Sequence, residues 1–170
     1  MSKPQSIQTL YRIYRFSLMK ITKTGEYAIK AMIELAINYD KGVSETLISH
    51  IAGRGNIPPK YLEQILVTLK RGGVVTSKRG VGGGYTLSRP PSDISLGEII
   101  RVVEGPLAPL NCASKKFHVT CPHEPTCGLY SVMCEVRNAI ANVVDNISLK
   151  DVVNRTRALV ENEDGISCTV

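Results

Sequence analysis

Residues 71–91 read Arg-Gly-Gly-Val-Val-Thr-Ser-Lys-Arg-Gly-Val-Gly-Gly-Gly-Tyr-Thr-Leu-Ser-Arg-Pro-Pro, and no other stretch of the chain leaves so few conformations open. Six of the fourteen glycines fall between positions 72 and 84 and two prolines close the segment, so a helix cannot run through it. What remains are two short β-prone runs, Val74–Lys78 and Tyr85–Ser88, joined at a tip made almost entirely of glycine. That is a hairpin. A lone hairpin is marginal in water, so its flanks must supply the core. The run from Gly80 to Tyr85 superficially matches a dinucleotide-binding loop. It has no glycine at the sixth position and no helix after it, and Pro90-Pro91 interrupts soon afterwards, so that reading is rejected.

The flanks read as helices. Ala28, Ala31, Met32, Leu35, Ala36 and Tyr39 recur at helical spacing over Thr24–Tyr39, with Lys30, Glu34 and Asn38 opposite, and Gly42 ends the run. A short second helix is predicted to open at Ser44 and to carry Leu47, Ile48, Ile51 and Ala52; Gly53-Arg54-Gly55-Asn56 then turns the chain. Pro58 and Pro59 suit the first turn of a third helix, where no intrahelical N–H partner is lost. Leu62, Ile65, Leu66 and Leu69 form its apolar stripe, leaving Lys60, Tyr61, Glu63, Gln64, Thr68 and Arg71 on the other side before Gly72-Gly73 stops it. Beyond the hairpin, Ser95-Leu96-Gly97-Glu98 is a capping box with Ile94 and Ile99 as its staple, and the helix it opens ends at Gly105-Pro106.

Two short helices, a turn, a polar-faced third helix and a glycine hairpin predict a winged helix-turn-helix. The class is mainly α with a small β-hairpin wing. A major groove about 12 Å wide admits one helix, whose first turns face the base edges. Glu63 suits a cytosine amino group and Gln64 an adenine, with Tyr61 beside them, while Lys60 and Arg71 suit phosphates. Lys78, Arg79 and Gly82 at the hairpin tip suit the backbone and an adjacent minor groove. Charge agrees: residues 1–90 hold fourteen Lys and Arg against five Asp and Glu, whereas residues 91–170 hold seven against ten. A basic half favours a polyanion through counterion release, although charge alone equally describes a solvated surface.

The first eighteen residues carry Lys3, Arg12 and Arg15 without a continuous apolar run, which argues against a secretory signal. They read as a basic extension, with a mitochondrial targeting peptide as the alternative. No apolar run is long enough to cross a bilayer. The cysteines begin only at Cys112 and continue with Cys121, Cys127, Cys134 and Cys168, a clustering that points to a reducing compartment and to metal or redox chemistry rather than a disulfide scaffold. Cys112, Cys121 and Cys127 contain no CxxC pair, so neither a zinc finger nor a bacterial ferredoxin run matches. Val132, Val136, Ile140, Val143 and Ile147 then form the seam of a long amphipathic helix suited to a twin in a homodimer or to its own domain. Ser148-Leu149-Lys150-Asp151 caps a last short helix.

In order along the chain, Met19–Tyr27, Tyr61-Leu62-Glu63-Gln64, Arg79–Tyr85, Asp93–Glu98 and the three cysteines ending in Cys127-Gly128-Leu129 resemble the IscR-like winged-helix iron–sulfur transcription regulators, NsrR- and RirA-type members included. The resemblance spans about residues 19–155. It implies a dimeric, cytoplasmic regulator, not an enzyme and not membrane-bound, that binds a palindromic operator in double-stranded DNA. It also implies an iron–sulfur cluster, [2Fe–2S] or [4Fe–4S], on Cys112, Cys121 and Cys127. Glu26, His123 and Cys134, with His118 beside them, are candidates for a fourth ligand. The expected organisation is a basic extension (1–18), a winged helix-turn-helix domain (19–105), a cysteine loop (106–128), a dimerisation-helix region (129–156) and a disordered tail (157–170). Two alternatives stand beside it: a cluster-free DNA regulator that works by thiol oxidation or zinc, and a small redox or thiol protein using Cys121 with His123.

Overall fold

A computed structural model describes residues 21–80 and 82–161; the expected basic extension and Cys168 lie outside the described residues. The elements run α1 (Lys23–Asp40), α2 (Ile48–Gly55), α3 (Pro59–Arg71), β1 (Val75–Lys78), β2 (Gly84–Leu87), α4 (Leu96–Glu104), α5 (Gly128–Asp145) and α6 (Leu149–Glu161). The two strands pair antiparallel, with Val75 opposite Leu87 and Lys78 opposite Gly84. At the tip Gly80 and Gly82 take φ of +99° and +76°, a region closed to most side chains, which is why the turn is written in glycine.

Local chemistry explains the helix ends. The Thr22 hydroxyl accepts the N–H groups of Thr24 and Gly25 at 3.1 and 3.4 Å and so caps α1. The N–H and hydroxyl of Thr22 in turn both donate to Glu104 Oε1 at 2.8 Å, pinning the start of α1 to the end of α4. Ser95 caps α4 by accepting the Glu98 N–H at 3.1 Å, while the Glu98 carboxylate takes the Arg89 guanidinium. The cap of α6 is reciprocal: Ser148 N–H donates to Asp151 Oδ2 at 2.9 Å, and Asp151 N–H to Ser148 Oγ at 3.1 Å.

Three boundaries differ from the sequence reading. The second helix starts at Ile48 rather than Ser44, because Thr46 exchanges backbone hydrogen bonds with Tyr85 of the wing, 2.8 and 2.9 Å. The long helix stops at Asp145. Ile147, expected in its seam, lies in the connection, where its carbonyl accepts the Leu96 N–H at 2.8 Å. Residues 157–161, expected in the disordered tail, continue α6, and Arg157 there donates to Asp40 on α1 at 2.9 Å.

One core joins α1 to α6. Met32 and Leu35 of α1, Ile51 of α2, Leu62 and Leu66 of α3, Ile94 just before α4 and Ile99 within it, and Leu149 and Val153 of α6 are all buried together. Each fully buried aliphatic side chain of this kind contributes about 1.5–3 kcal/mol relative to exposure. Helix α5 stands apart: none of its residues is fully buried. It meets the domain chiefly along α4. There a Cβ at Gly97 would overlap the Asp145 carboxylate, and Arg101 grips the two oxygens of Asp145 at 2.5 and 2.8 Å.

Candidate nucleic-acid interface and thiol loop

Burial of Leu62, Ile65, Leu66 and Leu69 forces the rest of α3 outward. Lys60, Glu63, Gln64 and Arg71 are exposed there, and Lys78, Arg79 and Gly82 are exposed on the wing. Tyr61 is 44 % exposed but held: its hydroxyl lies 3.2 Å from the Thr24 hydroxyl, and its ring meets Tyr27 edge-on with centroids 6.0 Å apart. The first turn of α3 is thereby fixed against the start of α1, so a probing side chain is preorganised rather than free. No sequence period announced that contact, since Thr24 and Tyr61 are 37 residues apart.

A cleft of about 520 Å³ separates the face of α3 from the wing, lined by Leu47, Ser49, Val67, Lys70, Ser77 and Arg79 among others. Lys70 donates to the Ser77 hydroxyl at 2.6 Å and ties the end of α3 to β1. Lys78 stands 3.5 Å from Glu45, which the Ser44 hydroxyl, ahead of Lys78, holds below the usual carboxylate range. Leu47, Ser49, Lys70 and Ser77 are absent from the sequence-based set. Lys70 could have been found from its basic character; the others become neighbours only through the Thr46–Tyr85 pairing.

The thiol loop is less assembled. Cys112 lies in a single 3-10 turn (Asn111–Ala113), Cys121 precedes another (Glu124–Thr126), and Cys127 caps α5, its Sγ accepting the Tyr130 N–H at 3.4 Å. All three, with Cys134 on α5, are half-buried free thiols. Glu124 organises the middle of the loop by accepting the Cys121 N–H at 3.0 Å and lying 3.3 Å from His118 Nε2. Thiolates are the soft donors that an iron–sulfur cluster takes. Among the described residues, however, no group of three or more Cys, His, Asp and Glu side chains stands close enough to hold a metal ion. The loop as folded in one chain therefore does not present a cluster shell.

The candidate fourth ligands are scattered. Glu26 lies in the first turn of α1 between Lys23 at 2.7 Å and Lys30 at 2.8 Å, whose hydrogen bonds, that of Lys23 ahead of that of Lys30, hold its carboxyl down at about 2. His123 is exposed and directly precedes the Glu124–Thr126 turn. Cys134 faces Tyr130, whose hydroxyl its hydrogen bond pushes upward in pKa, and lies 3.9 Å from an Arg137 nitrogen.

The profile of the Rrf2 family, described as an iron-dependent transcriptional regulator, matches residues 21–155. A rrf2-like transcriptional regulator of Rhodobacter capsulatus is 37% identical over 137 residues, 78% of this chain and 91% of that one. Among solved structures, CymR of Bacillus subtilis, described as that organism's global cysteine regulator, superposes with a TM-score of 0.66 at 34% identity, covering 80% of this chain and 97% of its own. IscR of T. potens superposes with a TM-score of 0.65 at 30% identity, covering 87% of this chain and 93% of its own. These similar proteins are regulators rather than enzymes, and no helix among the described residues is long and apolar enough to cross a membrane. With the family profile spanning both the winged half and the thiol loop, the chain belongs to the Rrf2 family of DNA-binding transcriptional regulators.

Proposed function

We propose that this protein is a cytoplasmic homodimeric regulator that reads a palindromic operator with α3 and the wing and takes its signal through the thiol loop. The carrying observation is the joint exposure of Lys60, Tyr61, Glu63, Gln64 and Arg71 on α3 with Lys78 and Arg79 on a wing tied to it. Helix α3 enters the major groove, Glu63 and Gln64 meet base edges, and Arg79 with Gly82 approaches the flanking minor groove. A second copy pairs through α5: Leu129, Val132 and Val143 are 59, 51 and 57 % exposed, a price in solvated apolar surface that a helix of this length does not carry alone. Two recognition helices must then sit about one helical turn apart, roughly 34 Å, so anything that re-angles the paired α5 helices changes operator affinity.

The finer reading of the signal is an iron–sulfur cluster held by Cys112, Cys121 and Cys127, supported by the likeness to IscR and by three half-buried free thiols on one loop. A second reading, thiol oxidation without a cluster, is supported by the ungathered thiols and by the likeness to CymR, whose Staphylococcus aureus protein is solved in an oxidized form. Anaerobic purification followed by a visible spectrum and by iron and sulfide analysis separates them. Stoichiometric iron and sulfide with visible absorbance upholds the cluster; colourless, iron-free protein whose operator affinity falls on oxidation upholds the thiol reading. The DNA reading is tested by selection from random duplexes: enrichment of an inverted repeat upholds it, and unchanged pools with no binding at low salt overturn it.

A further inference from the structure

Where the thiol loop crosses between the winged half and α5, a cavity of about 210 Å³ opens among α4, the loop segments after Gly105 and around Lys116, and the C-terminal turns of α5. Its apolar wall includes Leu107, Ala108 and Ala141, the first two buried. Four cationic side chains line it, Arg101, Lys115, Lys116 and Arg137, against a single carboxylate, Asp145. That carboxylate is already committed, because both of its oxygens meet the Arg101 guanidinium. Arg137 spends its donors on neutral acceptors, the Ala113 carbonyl and Asn138 Oδ1, the latter at 3.1 and 2.9 Å. Lys116 Nζ stands 5.6 Å over the Phe117 ring at the rim. Lys115, Lys116 and Arg137 thus line the cavity, the two lysines at its solvent-exposed mouth, with no carboxylate among the lining residues beyond the Asp145 held by Arg101.

We propose that this cavity binds a small organic anion: one carboxylate on an apolar body somewhat larger than a benzene ring. Size sets the body, since a dry cavity of about 150 Å³ takes benzene. An apolar wall with a few convergent polar groups is the usual construction of a small-molecule site. Charge sets the sign of the head group, because the cationic lining favours an anion over a neutral group, and an inorganic anion leaves the apolar wall wet. The occupant would touch α4 of the winged half, α5, and, through the Arg137 bond to Ala113, the residue next to Cys112. This inference does not rest on the DNA or cluster readings.

Calorimetric titration of the full chain with phenylacetate, and with acetate and 2-phenylethanol as controls, tests it. Saturable phenylacetate binding, about tenfold or more tighter than either control, is expected. The exposed pair Lys115→Gln with Lys116→Gln should weaken it about tenfold while leaving the melting temperature unchanged. No saturable binding up to about 10 mM overturns the proposal, as does equal affinity for the neutral alcohol or for the double variant. A chain that binds phenylacetate but ignores duplex DNA keeps this inference and sinks the DNA reading, and the converse result does the reverse.

Discussion

Helices α3 and α5 both carry an apolar stripe at helical spacing, yet they end in opposite circumstances. The stripe of α3 disappears into the core, with Leu62, Leu66 and Leu69 wholly buried, while α5 leaves Val132 and Val143 more than half exposed. The difference teaches that periodicity specifies a face and not what covers it. Helix α3 is hemmed by α1, α2, β1 and, beyond the wing, α4, so its stripe is covered by elements of its own half of the chain. Helix α5 follows a long cysteine-bearing loop, touches the domain mainly at the Gly97 and Arg101–Asp145 contact, and leaves Val132 and Val143 of its seam uncovered in the single chain.

The largest test of this contrast is Leu66→Ala. It removes a fully buried side chain and should cost about 2–5 kcal/mol in urea unfolding, whereas Val143→Ala should cost well under that in a dilute monomer. If both cost alike, α5 belongs to the same core and the contrast fails. Next comes Val143→Asp. A charge in the seam should shift a dimer toward monomer by about tenfold or more in sedimentation equilibrium, with far-UV dichroism kept. An unmoved dissociation constant would remove α5 as the pairing surface.

On the α3 side, Gln64→Ala should cost about 1–3 kcal/mol on a selected duplex and relax preference at one base pair. Arg79→Ala should instead weaken all duplexes and lower the salt slope by about one. Equal losses on every sequence from both variants would mean that α3 does not read bases. The smallest effect concerns acid. The Asp40 carboxylate, held by Lys150 first and then by Arg157, lies below its ordinary range, as do Glu26 beside Lys23 and Lys30 and Asp145 beside Arg101. Carboxylates lowered by folding stabilise fully above their unfolded values, and that contribution drains as pH falls through their folded ones. Stability should therefore decline below about pH 4.5 toward about 2, the window set by Glu26. The effect is modest because these pairs are solvent-screened. In Asp40→Asn the decline should shrink, and a profile identical to the parent's would mean that the α1–α6 tie adds nothing.

Much of this molecule could be read from residue order. The Gly72–Gly84 punctuation, the Pro59 start of α3 and the Ser95 and Ser148 caps are local signals, each decided within about four residues by backbone sterics or a single hydrogen bond, and the helices and wing followed from them. The exposed set from Lys60 to Arg79 was equally legible, because burying the leucine stripe leaves those positions nowhere else to face.

What lies far apart in the chain was decided only when it folded. The return of Leu149 and Val153 to the core beside Ile94, the Thr22–Glu104 clasp, the Tyr61–Thr24 contact and the loose dispersion of Cys112, Cys121 and Cys127 each depend on segments separated by tens of residues or on an ungoverned loop. Residue identity and spacing determine the side-chain-capped helix starts, the glycine turns and which side of a helix is apolar, since those energies act along the backbone, whereas the start of α2 moved when Thr46 paired with Tyr85 of the wing. Which surfaces meet depends on closing loops and burying area together, a balance struck only over the whole assembled chain.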